Sequence, residues 1–485
     1  MGFFPNDWDD EEQDDFKGNV EELVREFETN KEANFSPREL LEIFKFYSYN
    51  QLMSTDSAKG FMHMKTVLEQ GIDQFPYIPV FAIHMAEVLM REKSYRMARR
   101  YISKAKEYSS FEPALFFVEA AIYGLEGRKE KALETMKEGM ELAGEDDQAL
   151  EDFLELLIHY NQFELALPVL ERCLDLDADV NYIVEKWLGQ MNDKQIIRSL
   201  LPMLERMVDK DPYSEEAWYL LANASSDMED YEKAITAYDF AVTINENFLE
   251  AWVGYLEALY EQENYNTFIK HYEEQALRFH PGAFDELKGL LAWSHYEIGK
   301  IKEARALYHE VLKKSPEDSE SWYSMGLTWH YEQEYGKAIP YLEKAYGLNS
   351  VEADYGVVLA AAYFGNGNAD KWEPLYEVLS EEFPTEEEVW LDWCVALHET
   401  GQSDKAITIT QEGIKNNPGN TKLLYRMAAL CYLTGQQAAA IYLLETALSI
   451  NAEEHAQMFI FAPELKKAGS LLRLIARFTN PGLQT

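Results

Sequence analysis

The sequence predicts an all-α protein built as a row of helical hairpins, and three recurring columns of residues predict it. Steps of 34 residues taken from Ala234 reach Ala98, Ala132, Ala166 and Leu200 in one direction and Phe268 in the other. Two extra residues intervene near 280–284; the series resumes at Ala304, Ala338, Trp372, Ala406 and Ala440, and Met64 extends it backwards. Alanine fills eight of these twelve positions, where ordinary usage would put about one. Self-similarity at such a period marks a repeat array.

The second column lies four residues beyond each anchor. It holds Leu68, Ile102, Met136, Leu170, Leu204, Tyr238, Tyr272, Tyr308, Leu342, Tyr376, Thr410 and Leu444, bulky apolar or aromatic in all but one unit. The third column, twelve residues before the anchor, is small in eight units: Ala86, Ala120, Ala222, Ala292, Gly326, Ala360, Cys394 and Ala428. Twelve residues after the anchor stand Pro76, Pro212, Pro316, Pro384 and Pro418. Proline lacks an amide donor and disfavours helix in the residue before it, so it closes one unit and opens the next.

Within a unit, Trp218, Leu221, Ala222 and Ser225 keep the i, i+3, i+4, i+7 spacing of a helix face. After a short polar break, Ala234, Ile235, Tyr238, Ala241 and Val242 repeat that spacing. Two amphipathic helices and a turn follow. A small residue on one helix lets its neighbour approach closely, so the large side chains flanking it interlock.

The residues Trp218-x-x-Leu221-Ala222, Tyr231-x-x-Ala234 and Tyr238-x-x-Ala241 resemble the tetratricopeptide repeat pattern. Trp322-x-x-Met325-Gly326-x-x-Trp329 followed by Tyr335-x-x-Ala338 and Ala345 is the clearest copy, and the resemblance spans about residues 40–452. The whole chain also resembles acidic, largely uncharacterised bacterial proteins of this class. The resemblance implies a right-handed superhelical solenoid of about twelve hairpins with N- and C-terminal capping helices. It also implies a concave face that holds an extended or helical peptide.

The expected organisation is an acidic leader and first helix at 1–35, a first array at 36–264, an irregular junction at 265–284, a second array at 285–452 and a terminal helix at 453–485. Residues 1–18 are expected to be mobile and 19–30 helical. Ser36, Pro37 and Glu39 form a helix-start signature. The unit around Leu200 lacks the alanine anchors, and Phe268 is bulky at the tightest contact, so 265–284 is expected to change the pitch and to act as a hinge. At the far end, 463–478 is expected to be one helix with Leu465, Leu471, Leu472 and Ile475 inward and Lys466, Lys467, Arg473 and Arg477 around the remainder. Covering the last apolar face is the leading role for it, and binding a membrane surface the alternative.

The formal charge is −42. Such a field repels phosphate backbones and anionic lipid and attracts basic segments, so neither nucleic acid nor membrane is an expected partner. Solubility alone explains the charge equally well. The N-terminus has no basic leader or signal-peptide core, and no run is long enough to cross a bilayer, so a cytoplasmic location is expected. Cys173, Cys394 and Cys431 are too widely spaced for a zinc site and fall at structural positions. His271, His280, His295 and His309 lack metal-ligand spacing, and His295 is expected to be a satisfied core imidazole. The GNGN at 365–368 is a turn between helices. No catalytic residues, cofactor, metal or small-molecule substrate are expected.

One column carries a functional signal. With the anchor as position 20, position 2 holds Glu216, Glu250, Glu286, Glu320, Asp354 and Glu388, acidic in six successive units. The resemblance places this position near the concave face. Carboxylates in the first turn also favour the helix dipole, by about 0.3–1 kcal/mol each. Asp227, Glu257, Glu261 and Glu297 would deepen a negative potential, and positions 5, 9 and 12 add Tyr219, Asn223, Tyr260, Trp293, Tyr296, Tyr323 and Phe364 by family analogy. A clamp for acidic tails is disfavoured, since only Lys186, Lys422 and Arg426 offer cations. The expected function is a non-enzymatic scaffold that holds a protein or peptide with basic segments in an acidic, aromatic-lined groove. An assembly or regulatory subunit packing through convex or edge surfaces is the alternative, and an RNA-processing scaffold is third.

Overall fold

The computed structural model describes residues 12–30, 33–52, 57–191, 193–280 and 282–479, and every regular element among them is helical. After α1 (Glu12–Thr29) the chain forms pairs. They are α2 (Pro37–Leu52) with α3 (Ser57–Gln74), α4 (Val80–Arg91) with α5 (Tyr95–Lys106), and α6 (Pro113–Leu125) with α7 (Lys129–Ala143). Next come α8 (Asp147–His159) with α9 (Phe163–Asp175) and α12 (Glu215–Asp227) with α13 (Tyr231–Ile244); between them α10 (Asn181–Gly189) packs on α8 and α12, and α11 (Lys194–Lys210) on α9 and α12. Then follow α14 (Leu249–Glu261) and α15 (Tyr265–Arg278), and the pairs α16 (Lys288–Glu297) with α17 (Ile301–Lys314) and α18 (Ser319–Tyr331) with α19 (Tyr335–Leu348). The last pairs are α20 (Ala353–Gly365) with α21 (Ala369–Glu382), α22 (Glu387–Glu399) with α23 (Ser403–Asn416), and α24 (Thr421–Leu433) with α25 (Gln437–Ile450). Short α26 (Ala456–Phe461) and α27 (Gly469–Thr479) end the described chain.

The chain divides into two compact units, Met1–Ala258 and Leu259–Thr485. In the first, the leading helices α4, α6, α8, α10 and α12 lie side by side in succession, and in the second α16, α18, α20, α22 and α24 do the same. All twelve anchors are buried; Trp372, at 4%, is the most exposed of them. The columns meet as the spacing requires. A Cβ added to Gly326 would come within 2.5 Å of the Leu342 side chain, so the small position exists to admit the bulky one.

Local chemistry sets the ends of each helix. The Ser36 amide donates to Glu39 Oε2 at 2.7 Å, and the Glu39 amide donates to Ser36 Oγ at 3.3 Å, the reciprocal cap expected before α2. Ser214, Asp318 and Asn420 cap α12, α18 and α24. The turn inside a hairpin needs one residue in the left-handed region. Gly299, Gly367, Gly401 and Gly435 supply it, but Glu229, Glu263 and Gln333 adopt it too. The five column prolines lie between helices.

Several expectations are corrected. Helix α1 already includes residues 12–18, which were expected to be mobile; residues 1–11 of the expected leader lie outside the described residues. Of 265–284, residues 265–278 are the continuous helix α15, and the chain leaves helical geometry only beyond it. There the Tyr272 hydroxyl donates to the Phe284 carbonyl at 3.1 Å, and Phe284 is buried. The segment 463–478 is broken, with a 3-10 turn at Pro463–Lys467 before α27. Leu465, Leu471 and Ile475 are buried as expected, but Leu472 is exposed, since it falls on the outer side once the helix restarts at Gly469. Helix α27 packs on α25, and its Leu471 and Ile475 join the cluster around Leu444 and Leu448.

Candidate functional site

The acidic column sits where the helix geometry puts it. Glu216, Glu250, Glu320, Asp354 and Glu388 lie in the first turns of α12, α14, α18, α20 and α22, and Glu286 lies in the 3-10 turn that opens α16. All six are exposed. Glu388 faces Lys422 at 3.7 Å, and Glu216 accepts a hydrogen bond from the Ser214 hydroxyl at 3.3 Å. Among the described residues, the other four pair with no lysine or arginine.

In the first unit the expected residues converge on two tyrosines. The Tyr238 hydroxyl donates to Asn223 Oδ1 at 2.6 Å, and the Tyr219 ring lies 6.2 Å from Tyr238 and 4.9 Å from Phe248. Burial raises the Tyr219 hydroxyl; Asn223 opposes that by hydrogen bonding, and Glu185, Glu250 and Glu257 add to it. Tyr238 is raised further, by burial first and then by Tyr219, Glu257 and Asp227. Asp227 is solvent-exposed, yet desolvation by the surrounding protein lifts its carboxyl above the usual range. The Asn223 oxygen is already engaged, so a ligand backbone would find its amide hydrogens rather than its oxygen.

In the second unit Tyr260, Trp293, Tyr296, Glu320 and Tyr323 form a comparable patch. Tyr260 lies 5.9 Å from Tyr265, and Trp293 stands 5.2 Å from Tyr296. Tyr296 in turn meets Tyr331 at 5.9 Å, and Tyr323 stacks on Tyr355 at 4.5 Å. Tyr260 is pushed up to about 12 by burial and then by Tyr265, Glu320, Glu261 and Glu297. Tyr323 is raised by burial and then by Asp354, the acid that opens the next hairpin. Glu286 is exposed and outside these contacts.

Sequence reasoning missed Tyr238, Tyr265 and Tyr308, which adjoin these patches. A signal existed for two of them: the second column is tyrosine, not leucine, at 238 and 308, and a phenol is long enough to reach past the core. His295 is buried, as expected, but its Nδ1 lacks a hydrogen-bond partner among the described residues, so the expected satisfied ring is corrected. Burial lowers its tendency to protonate. The three cysteines are buried free thiols, and 365–368 is a turn between α20 and α21. Among the described residues, no His, Cys, Asp and Glu group could hold a metal ion, and no helix is long and apolar enough to cross a membrane.

Family models of the tetratricopeptide repeat match residues 215–248 and 290–376. The chain carries tetratricopeptide repeats. Tetratricopeptide residues in the two matched stretches include Glu216, Tyr219, Asn223 and Asp227 in the first and Trp293, Tyr296, Glu320 and Tyr323 in the second. The chain is 20% identical, over 387 residues, to the TPR repeat-containing protein YpiA of Bacillus subtilis (strain 168), covering 79% of this chain and 81% of the relative. Among solved structures it is similar to yeast Tom70, at 17% identity and a TM-score of 0.40, over 84% of this chain and 92% of that one. It is also similar to a tetratricopeptide repeat protein from Parabacteroides merdae ATCC 43184, at 16% identity and a TM-score of 0.42, over 54% of this chain and 98% of that one.

Proposed function

We propose that the chain is a non-enzymatic scaffold that holds a protein partner through a basic segment laid against the acidic, aromatic faces of its leading helices. Tetratricopeptide repeats support protein interaction in general. The observation that carries the finer reading is the acidic column: Glu250, Glu286, Glu320 and Asp354 are exposed and pair with no lysine or arginine among the described residues. Acids serving only internal stability would be expected to find such partners more often. Half-buried tyrosines beside them add contact area at low entropy cost.

The test replaces Glu216, Glu250, Glu286 and Glu320 together by glutamine, then measures thermal stability and capture of partners from cell extract. The reading expects a melting temperature lowered only by the small dipole contributions, about 0.3–1 kcal/mol per site, and capture abolished. Lost stability with capture intact would show that the column serves the helix ends alone.

A second reading, an assembly subunit packing through its edges, has one observation in its favour. Tyr77, Phe111, Tyr213 and Val351 all stand thirteen residues after an anchor, on the turns between hairpins, and all are more than half exposed. Replacing Phe111 and Tyr213 by serine would abolish capture under this reading and leave it intact under the first.

A further inference from the structure

Two neighbouring trailing helices carry opposite charge at matching positions. On α5, Arg96, Arg100 and Lys104 recur every four residues and are all exposed, while Ala98, Ile102 and Ala105 are buried on the other side. On α7, thirty-four residues later in each case, stand Glu130, Glu134 and Glu138, exposed in the same way, with Ala132, Met136 and Gly139 buried behind them. Of the twelve units, only these two fill all three positions with a single sign; in every other unit at least one of the three is uncharged.

The two helices lie side by side. Both pack on α6, and near their starts Arg99 of α5 and Lys131 of α7 reach the same Tyr123 ring, at 5.2 and 5.9 Å from its centre. As trailing helices of successive hairpins they run the same way, so the basic and acidic stripes are parallel. The cations of α5 that turn toward α6 are engaged, Arg99 with Glu126 at 3.1 Å and Lys106 with Glu119 at 2.5 Å. Among the described residues, none of the six outer charges makes an ion pair. Lys131 and Lys137 flank the acidic stripe, and the next position of each stripe, Glu107 and Glu141, is acidic on both helices.

We propose that this face is an interface between two copies of the chain, related by a two-fold axis that runs along the line between α5 and α7. That operation preserves direction along the helices and exchanges the stripes, so α5 of each copy faces α7 of the other. Arg96 then meets Glu130 of the second copy, Arg100 meets Glu134 and Lys104 meets Glu138, and each pair occurs twice. An axis across the helices would set each stripe on itself, like charge on like. The match covers three helical turns and stops at Glu107 and Glu141, which face each other with one sign. An anionic membrane or polyanion would suit α5 but be repelled by the three glutamates one helix away. A second copy satisfies both stripes at once, and the paired signs fix its orientation. The inference concerns trailing helices and does not rest on the acidic column of the leading ones.

Sedimentation equilibrium of the full chain measures the association, with circular dichroism melts confirming that each variant folds. The native chain is expected to dimerise. The triple variants R96E/R100E/K104E and E130K/E134K/E138K are each expected to associate at least tenfold more weakly, because like charges then face each other. An equimolar mixture of the two should recover association. So should the chain carrying all six changes, whose net charge equals that of the native chain. Should a triple variant fail to fold, the middle pair gives the same test in milder form: R100E and E134R each weaken association, and R100E/E134R restores it. Triple variants that dimerise like the native chain, or a six-change chain that stays apart, would overturn the interface. A native chain that remains monomeric would also overturn it, and loss of its binding to anionic phospholipid vesicles in R96E/R100E/K104E would reassign the basic stripe to a membrane.

Discussion

The indole of Trp322 donates a hydrogen bond to the carbonyl of Pro316, six residues earlier, at 2.9 Å. Trp218 does the same to Pro212, Trp390 to Pro384 and Trp252 to Glu246, each at 3.0 Å. The residue that ends one hairpin therefore also receives a bond from the first turn of the next. A Trp322→Phe substitution keeps the ring and removes the donor. It is expected to cost about 1 kcal/mol in a urea melt; an unchanged midpoint would show the bond to be incidental.

The alanine anchors make a sharper demand. Ala338 is fully buried among α18, α19 and α20 side chains. Ala338→Leu forces extra methylenes into a filled contact and should destabilise by about 1–3 kcal/mol. The exposed Ala306 on α17 is the control, and Ala306→Leu should leave the melt within about 0.5 kcal/mol of native.

Gln333 turns the chain between α18 and α19 with φ at 59°. A Cβ is disfavoured in that region, so Gln333→Gly should raise stability by up to about 1 kcal/mol. The reverse change at Gly367, φ 76° in the next turn, should lower it by a similar amount. Both are read from thermal melts.

Asp392 gives unit Leu259–Thr485 a pH dependence. Burial, with help from Glu388 and against Arg426, pushes its carboxyl up to about 6. An unfolded aspartate titrates near about 3.9, so between those values the folded state holds more protons, and stability falls as pH rises from about 4 to about 6. Asp392→Asn should flatten that slope and raise stability at pH 7 by about 1–2 kcal/mol. A variant with the native pH profile would place the titration elsewhere.

The hairpins were legible because packing repeats: one small and one bulky position per helix pair, in fixed register, leave a countable trace in the sequence. Ala234, Tyr238 and Pro212 announce their own roles. The helical state of residues 12–18 and the break before Gly469 were not legible, since both occur where the period has stopped and only weak local preference remains. Within the patches, positions could be counted but hydrogen-bond directions could not. That Tyr238 engages the Asn223 oxygen depends on side-chain placement between the two helices of a hairpin, which spacing along one chain does not encode.

The most direct test of the central claim is the affinity of the native chain for a peptide alternating arginine with serine as salt is raised. If the exposed carboxylates of the leading helices provide the attraction, affinity should fall at least about tenfold between roughly 50 and 300 mM salt, and the four-glutamine variant should show a much shallower fall from a weaker start. Affinity that stays level across that range, or a variant with the native salt dependence, would contradict the account.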